Sequence, residues 1–238
     1  MKTIYDVMKR QLQSREDTFL VTALTGTRKG DRVIYEKSGA TIYGEPFIGF
    51  SLGDAKVNEL IVADHVEYFV QAIERDPEVL VVGAGHVSRA ISDILLFIGC
   101  AVTVVDDRLD YLRPEFFDAA VHRVHCDMTC LEESLVLSKY TGFIIVTRAH
   151  EYDTICLNQL RTQLPTYMGV MGSRKRIHYA FEQLRNEGWT EEELAQIYAP
   201  IGLDIGAQTP EEIALSIVSE YLAVTRNKRG GTLRSPAV

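Results

Sequence analysis

Several short stretches of this 238-residue chain carry residue types that can do chemistry. The first is VLVVGAGHVSRA, Val79 to Ala90, where Gly83 and Gly85 frame a turn and His86 follows them. Gly83 permits the turn, Gly85 lets a backbone come close to a pyrophosphate, and the next helix aims free N–H groups at it. A third glycine is usual in such loops for close packing of helix on strand. Ser88 stands there instead and is small enough for nearly the same approach. In AVTVVDDR, Asp106 closes the following strand at about 20 residues from the loop, where an acid would accept hydrogen bonds from an adenosine ribose. Arg108 can hold a phosphate or stack on a flat ring.

A second constellation lies farther along. TRAHEYD brings Arg148, His150 and Asp153 to the end of another strand, and MGSRKR offers Ser173 as a helix N-cap with Arg174, Lys175 and Arg176 in the first turn. Cations at that end oppose the helix dipole. Their functional reading is an anion site, with N–H groups and basic side chains facing a phosphate. In YAPIGLDIGAQTP, Asp204 between Gly202 and Gly206 reads as a placed carboxylate. His86, His150 and Asp153 are the candidates for proton transfer.

The same histidines and Asp153 have donor types that suit zinc or iron, and HRVHCDMTC adds His122, His125, Cys126 and Cys130. The C-x3-C spacing misses the usual zinc knuckle, and one strand points alternate residues to opposite faces. No resident metal is expected. Cys100 and Cys156 read as core thiols. Neither a Ser-His-Asp order, a nucleophile elbow nor a Walker lysine is present.

These residues need elements to hold them. Apolar runs at 79–83, 101–106, 119–124, 142–147 and 166–171 alternate with helical patterns, which implies a parallel sheet covered on both faces. The expected strand order is 3-2-1-4-5, a doubly wound arrangement whose crevice lies beyond the strands' carboxyl ends. There His86, Arg148 and His150 should meet. A last helix starts at Thr209 with a capping box to Glu212 and Pro210 at its first position. Before this α/β domain, a helix is expected over Ile4 to Gln13, a strand at FLVTALTG, a hairpin in DRVIYEKSGATIYG turning at Lys37 to Gly39, and a mainly helical stretch from Val57 to Glu74. The domains so read are a small N-terminal α+β domain (1–76), a Rossmann-type domain (77–226) and a flexible tail (227–238).

Apolar content of 46% and charged content of 24% are those of a soluble globular protein. A net charge of -8 argues against broad nucleic-acid or membrane binding. MKTIYDVMKRQLQSRED has an amphipathic pattern and not that of a signal peptide, and the cysteines are expected as reduced thiols in the cytoplasm.

GAGHV, VTVVDDR, TRAHEYD, MGSRKR and PIGLDIGAQTPEEIA, in this order and at these distances, resemble the C-terminal domain of the XdhC/CoxI family. These are accessory factors for xanthine dehydrogenase and related molybdenum hydroxylases. The likeness covers residues 79 to 224, and the last two motifs are far more specific than a glycine loop. It implies a Rossmann domain and a cytoplasmic homodimer that binds molybdenum cofactor (molybdopterin), supports its sulfuration and passes it to an apo molybdenum hydroxylase, with a cysteine desulfurase as a further partner. The positions that match are Gly83, Gly85, His86, Asp106, Arg108, His150, Asp153, Gly172, Ser173, Arg174, Gly202, Asp204 and Gly206. Two features depart from the family: Arg148 stands where a histidine is more usual, and the reduced N-terminal part lacks a Gly-Gly-Cys-type motif. From the residues alone two other readings stay open. One is an NAD(P)-dependent oxidoreductase, with NAD favoured because Asp106 would repel a 2′-phosphate; the other is a nucleotide-sensing assembly scaffold.

Overall fold

The N-terminal helix α1 (Ile4–Gln11) opens with a capping box in which the Thr3 hydroxyl accepts from the Asp6 N–H and the Asp6 carboxylate accepts from the Thr3 N–H at 2.8 Å. Its Val7 packs on Leu20 and Ile34. Five strands follow: β1 (Thr18–Ala23), β2 (Arg32–Glu36), β3 (Thr41–Tyr43), β4 (Glu59–Ala63) and β5 (Val66–Ala72). They form an antiparallel sheet in the order β3-β2-β1-β5-β4. The structure is a computed structural model and describes residues 3–12, 17–53, 58–73, 76–148, 150–163 and 165–234. Gln13, the expected end of the first helix, lies outside them.

The stretch 57–74 corrects the sequence reading. Its two ends lie outside the described residues, and the rest is the β4–β5 hairpin where a helix was expected. Asp64 and His65 form the turn, both at positive φ (47° and 62°), which is the backbone twist that a two-residue hairpin turn demands. Along β5 the period is two: Tyr68 and Val70 are buried against Val21, Val33, Tyr35 and Phe47. Burial of that face outweighs helix-compatible spacing of the same apolar residues.

From Asp76 onward the chain forms a second unit, Asp76–Val238, distinct from Met1–Arg75. Its elements alternate: β6 (Glu78–Val82), α2 (His86–Phe97), β7 (Ala101–Asp106), β8 (His122–His125), β9 (Gly142–Ile145), α3 (His150–Leu160), β10 (Tyr167–Val170), α4 (Arg174–Asn186), α5 (Glu191–Leu194), β11 (Ile197–Tyr198) and α6 (Pro210–Thr225). All pairs in the sheet are parallel, in the order β11-β10-β9-β6-β7-β8. This is the expected 3-2-1-4-5 order with a short sixth strand, β11, added beyond β10. The strand expected at 119–124 runs from His122 to His125.

The strands are buried on both faces, as a parallel sheet requires. Val79, Val81, Val104 and Ile144 meet Ile91 and Leu95 of α2 and Ile217 and Tyr221 of α6. Leu80, Val82, Phe143 and Ile145 point the other way, against Leu157 and Leu160 of α3 and Ile177 and Leu184 of α4. Each such side chain contributes about 1.5–3 kcal/mol on burial. Trp189, just past α4, is packed on this second face; its indole N–H donates to Asn158 Oδ1 at 2.8 Å and the Arg161 guanidinium lies 5.1 Å from its ring. At α6 the Thr209 hydroxyl accepts from Glu212 N–H while Glu212 accepts from Thr209 N–H, with Pro210 in the first turn.

Because α2 leaves β6 on one face and α3 leaves β9 on the other, a crevice opens beyond their carboxyl ends. No helix among the described residues is long and apolar enough to cross a membrane.

Candidate functional site

The crevice is built around Gly83. Its φ is +108°, and a Cβ there would stand 2.6 Å from the Val146 carbonyl oxygen, so the end of β9 lies directly against the loop. Gly85 differs: it is the N-cap of α2, no side chain caps that end, and an added Cβ would meet nothing within 4 Å. The first N–H groups of α2 therefore have no side-chain cap, and the space beside Gly85 is empty. His86 begins the helix and is exposed, whereas Ser88 is buried at 1% exposure, as a residue standing in for a packing glycine should be.

Asp106 lies at the end of β7, next to this loop, and it is not a free acceptor. One carboxylate oxygen accepts from the Ala84 N–H (2.7 Å) and Arg108 Nη2 (2.9 Å); the other accepts from Arg108 N–H (2.9 Å) and Nε (2.8 Å). A carboxylate has about four lone-pair sites, so these donors fill them. Arg108 in turn lies 3.7 Å over the Tyr111 ring. Burial pushes the Asp106 carboxyl up, but the hydrogen bonds from Arg108 and from the Ala84 and Arg108 backbone outweigh it, leaving it below its ordinary value. A depressed native value means stability that is complete above the unfolded carboxylate range, about pH 4, and is lost as pH falls through the native value. Asp106→Asn should accordingly lie below the wild type in urea midpoint at pH 7, with the gap closing toward acid pH. A gap independent of pH would show that the carboxylate carries none of this load.

Beyond β9, the sequence-selected residues separate into two kinds. Asp153 is wholly buried: Arg176 donates to both its oxygens at 2.7 Å, and the Thr147 hydroxyl donates at 2.6 Å. Arg176 also donates to the Thr147 carbonyl at 3.2 Å. This constellation ties α3 and α4 to the end of β9, and no face of Asp153 meets solvent. Ser173 caps α4 by accepting from the Arg176 N–H at 3.2 Å. Arg174 and Lys175 are exposed and make no ion pair among the described residues. The His150 side chain lies outside the described residues.

Arg148 reaches across the crevice, donating from Nη2 to Asp107 Oδ2 at 3.0 Å. Tyr152 donates its hydroxyl to the same oxygen at 2.9 Å. Asp107 and Tyr152 escaped sequence reasoning, because their partners are distant in sequence and only the Asp-Asp pair hinted at a second acid. Asp204 is exposed on the loop after β11, where Leu203 O accepts from the Ser216 hydroxyl at 2.6 Å.

The structure thus links Ala84 with Asp106 and Arg108, Gly83 with Val105, and Arg148 with Asp107. It puts His86, Ser173, Arg174, Lys175 and Asp204 at the same edge without direct bonds between them. The start of α4 follows β10, two strands from β6, and the Asp204 loop follows β11, three strands from it.

Among the described residues no group of three or more His, Cys, Asp or Glu side chains could hold a metal ion. His122 and His125 are exposed on β8, and the His125 ring meets the Asp107 carbonyl at 3.0 Å. The cysteines are free; burial pushes the Cys156 thiol up to about 12.

A family model described as the XdhC Rossmann domain matches residues 79–221. The chain is 31% identical over 169 residues to "Uncharacterized protein YqeB" of Escherichia coli (strain K12), covering 71% of this chain and 31% of that protein. Over 97 residues it is 30% identical to "Molybdenum cofactor insertion chaperone PaoD" of Escherichia coli (strain K12), covering 41% and 30%. The chain thus spans less than half the length of each of these relatives. A crystal structure of a xanthine dehydrogenase from Bacillus halodurans superposes with a TM-score of 0.73 at 22% identity, covering 93% of this chain and 66% of that one, which is a likeness of fold.

Proposed function

The chain belongs to the XdhC family, and from that premise we propose that it is an accessory protein in molybdenum hydroxylase maturation that holds molybdenum cofactor by its phosphate in the crevice. The observation that carries this reading is the uncapped start of α2 at Gly85, open to solvent, with exposed Arg174 and Lys175 at the same sheet edge. The donor set suits a phosphate. Asp106 and Asp153 are consumed by Arg108 and Arg176, so the inner crevice offers N–H groups and cations with its own acids already neutralised. The relative named as a molybdenum cofactor insertion chaperone supports the choice of ligand.

The cofactor carries the molybdenum chemistry of the client enzyme; the residues here bind, orient and release it. Gly85 and the first turn of α2 would receive the phosphate, and Arg174 and Lys175 would neutralise it. In this reading the partners are an apo-hydroxylase of the xanthine dehydrogenase type, a cysteine desulfurase and a second copy of the chain. Use of NAD is disfavoured by the filled lone pairs of Asp106, which then cannot accept from a ribose diol.

Calorimetric titration of the full chain with molybdenum cofactor, NAD and NADP tests the proposal. Cofactor binding is expected, weakened about tenfold by Arg174→Glu through loss of a charge-assisted contact. Gly85→Ala should weaken it at least as much while leaving thermal stability unchanged, since the new methyl meets only ligand space. Tight binding of NAD with none of the cofactor would overturn the reading in favour of an oxidoreductase.

A further inference from the structure

Three arginine–aspartate pairs line the carboxyl edge of the parallel sheet, and they are not equivalent. Arg108 grips Asp106 and Arg176 grips Asp153 through two nitrogens each, on carboxylates only 4% and 0% exposed. Arg148 makes one bond to Asp107, with the two side chains 44% and 26% exposed. Pairs of the first kind are costly to break, whereas an exposed single-bonded pair is worth little and exchanges readily.

The position of the weak pair gives it meaning. Asp107 follows β7 and Arg148 follows β9, and these are the strands on either side of β6. The bridge therefore spans the mouth of the crevice where Gly83 and Gly85 emerge. Asp107 is held from several sides: Tyr152 donates to the same Oδ2 at 2.9 Å, Arg108 Nε lies 3.8 Å from Oδ1, and the His125 ring meets its carbonyl. Among the described residues Arg148 is held only by Asp107, a long 3.5 Å contact to the Tyr152 hydroxyl, and its place 5.5 Å from the Tyr152 ring. The anchor is fixed and the arm is not.

We propose that Arg148 is a phosphate-binding arm parked across the crevice by Asp107 and Tyr152, and that a phosphate-bearing ligand draws it off Asp107. This rests on the crevice being the ligand site. A phosphate group offers three oxygens and up to two negative charges to the arginine fork, against the single bond that Asp107 receives. Asp107 thereby cuts the apparent affinity for a ligand that engages Arg148 to the fraction of time the arm is free. Asp107 and Tyr152 are positioning residues, acting through Arg148.

The test uses inorganic pyrophosphate and calorimetry on the full chain, with circular dichroism melts to show that each variant is folded. Asp107→Asn is expected to bind pyrophosphate about three- to fivefold more tightly, the size of an exposed pair released, and Arg148→Gln about tenfold more weakly. The decisive measurement is the double variant: in the Arg148→Gln background, Asp107→Asn should bring almost no gain. Should Arg148→Gln fail to fold, Arg148→Lys takes its place with a smaller loss, because it keeps the charge without the fork. An equal gain in both backgrounds would mean that Asp107 acts only as a nearby negative charge, and no gain in either would mean that it competes for nothing; both overturn the latch while wild-type binding keeps the site reading. Absence of pyrophosphate binding in wild type and in Asp107→Asn alike overturns the site reading, and the latch with it.

Discussion

Asp153→Ala is expected to lower unfolding free energy by roughly 3–5 kcal/mol, the cost of breaking a buried ion pair by removing one partner. The wild-type carboxylate is fully buried and receives Arg176 through two bonds and Thr147 through a third. Without it, the Arg176 guanidinium stays wedged between α3, α4 and the Thr147 carbonyl with no counter-charge. Urea denaturation followed by circular dichroism measures the loss. Replacing both partners, as in Asp153→Leu with Arg176→Met, should recover most of it, since an apolar pair avoids the desolvation cost. A loss below about 1 kcal/mol would class the bridge with ordinary surface pairs and remove the reason for calling it the tie between α3 and α4. The consequence reaches the site, because this tie fixes the first turn of α4 and with it Arg174.

Gly83→Ala should be nearly as damaging, on the order of 3 kcal/mol from a strained φ and a clash together. Its φ of +108° disfavours any side chain, and the methyl would sit 2.6 Å from the Val146 oxygen and 3.2 Å from the Thr147 Cα. These are backbone atoms at the end of β9, so relief requires prising two strands apart. Gly85→Ala provides the comparison: φ there is -76° and the space is empty, so its thermal midpoint should match wild type. If both variants melt alike, the tight approach of β9 to the loop is wrong.

Much of the α/β unit was legible because its signals are local. Val79 to Ala90 passes from a two-sided apolar strand through glycines into a helical period, and Thr209, Pro210 and Glu212 announce α6 in advance. The hairpin at 59–72 was not legible, because Leu60, Ile61, Val66, Phe69 and Val70 also satisfy a helical spacing and the turn Asp64-His65 lacks the glycine that would mark it. Strand β11, only Ile197 and Tyr198, exists because β10 offers it an edge, which no period can reveal in so short a run. At the strand ends, the sequence placed its candidate residues where the structure has them, beyond β6, β7, β9 and β10. It could not tell that Asp106 and Asp153 would be consumed by Arg108 and Arg176. Nor could it pair Arg148 with Asp107, since such pairings depend on which rotamers the packing leaves open.

Trp189 is the chain's one tryptophan, and its ring neighbours Asn158 and Arg161 belong to the same unit, Asp76–Val238. Selective excitation of its fluorescence thus reports on the α/β unit alone. The Met1–Arg75 unit holds no tryptophan and only four of the chain's eleven tyrosines, Tyr5, Tyr35, Tyr43 and Tyr68, so it is silent at that wavelength. A ligand that raises the midpoint of the tryptophan transition is thereby shown to protect the α/β unit, without labels or truncation.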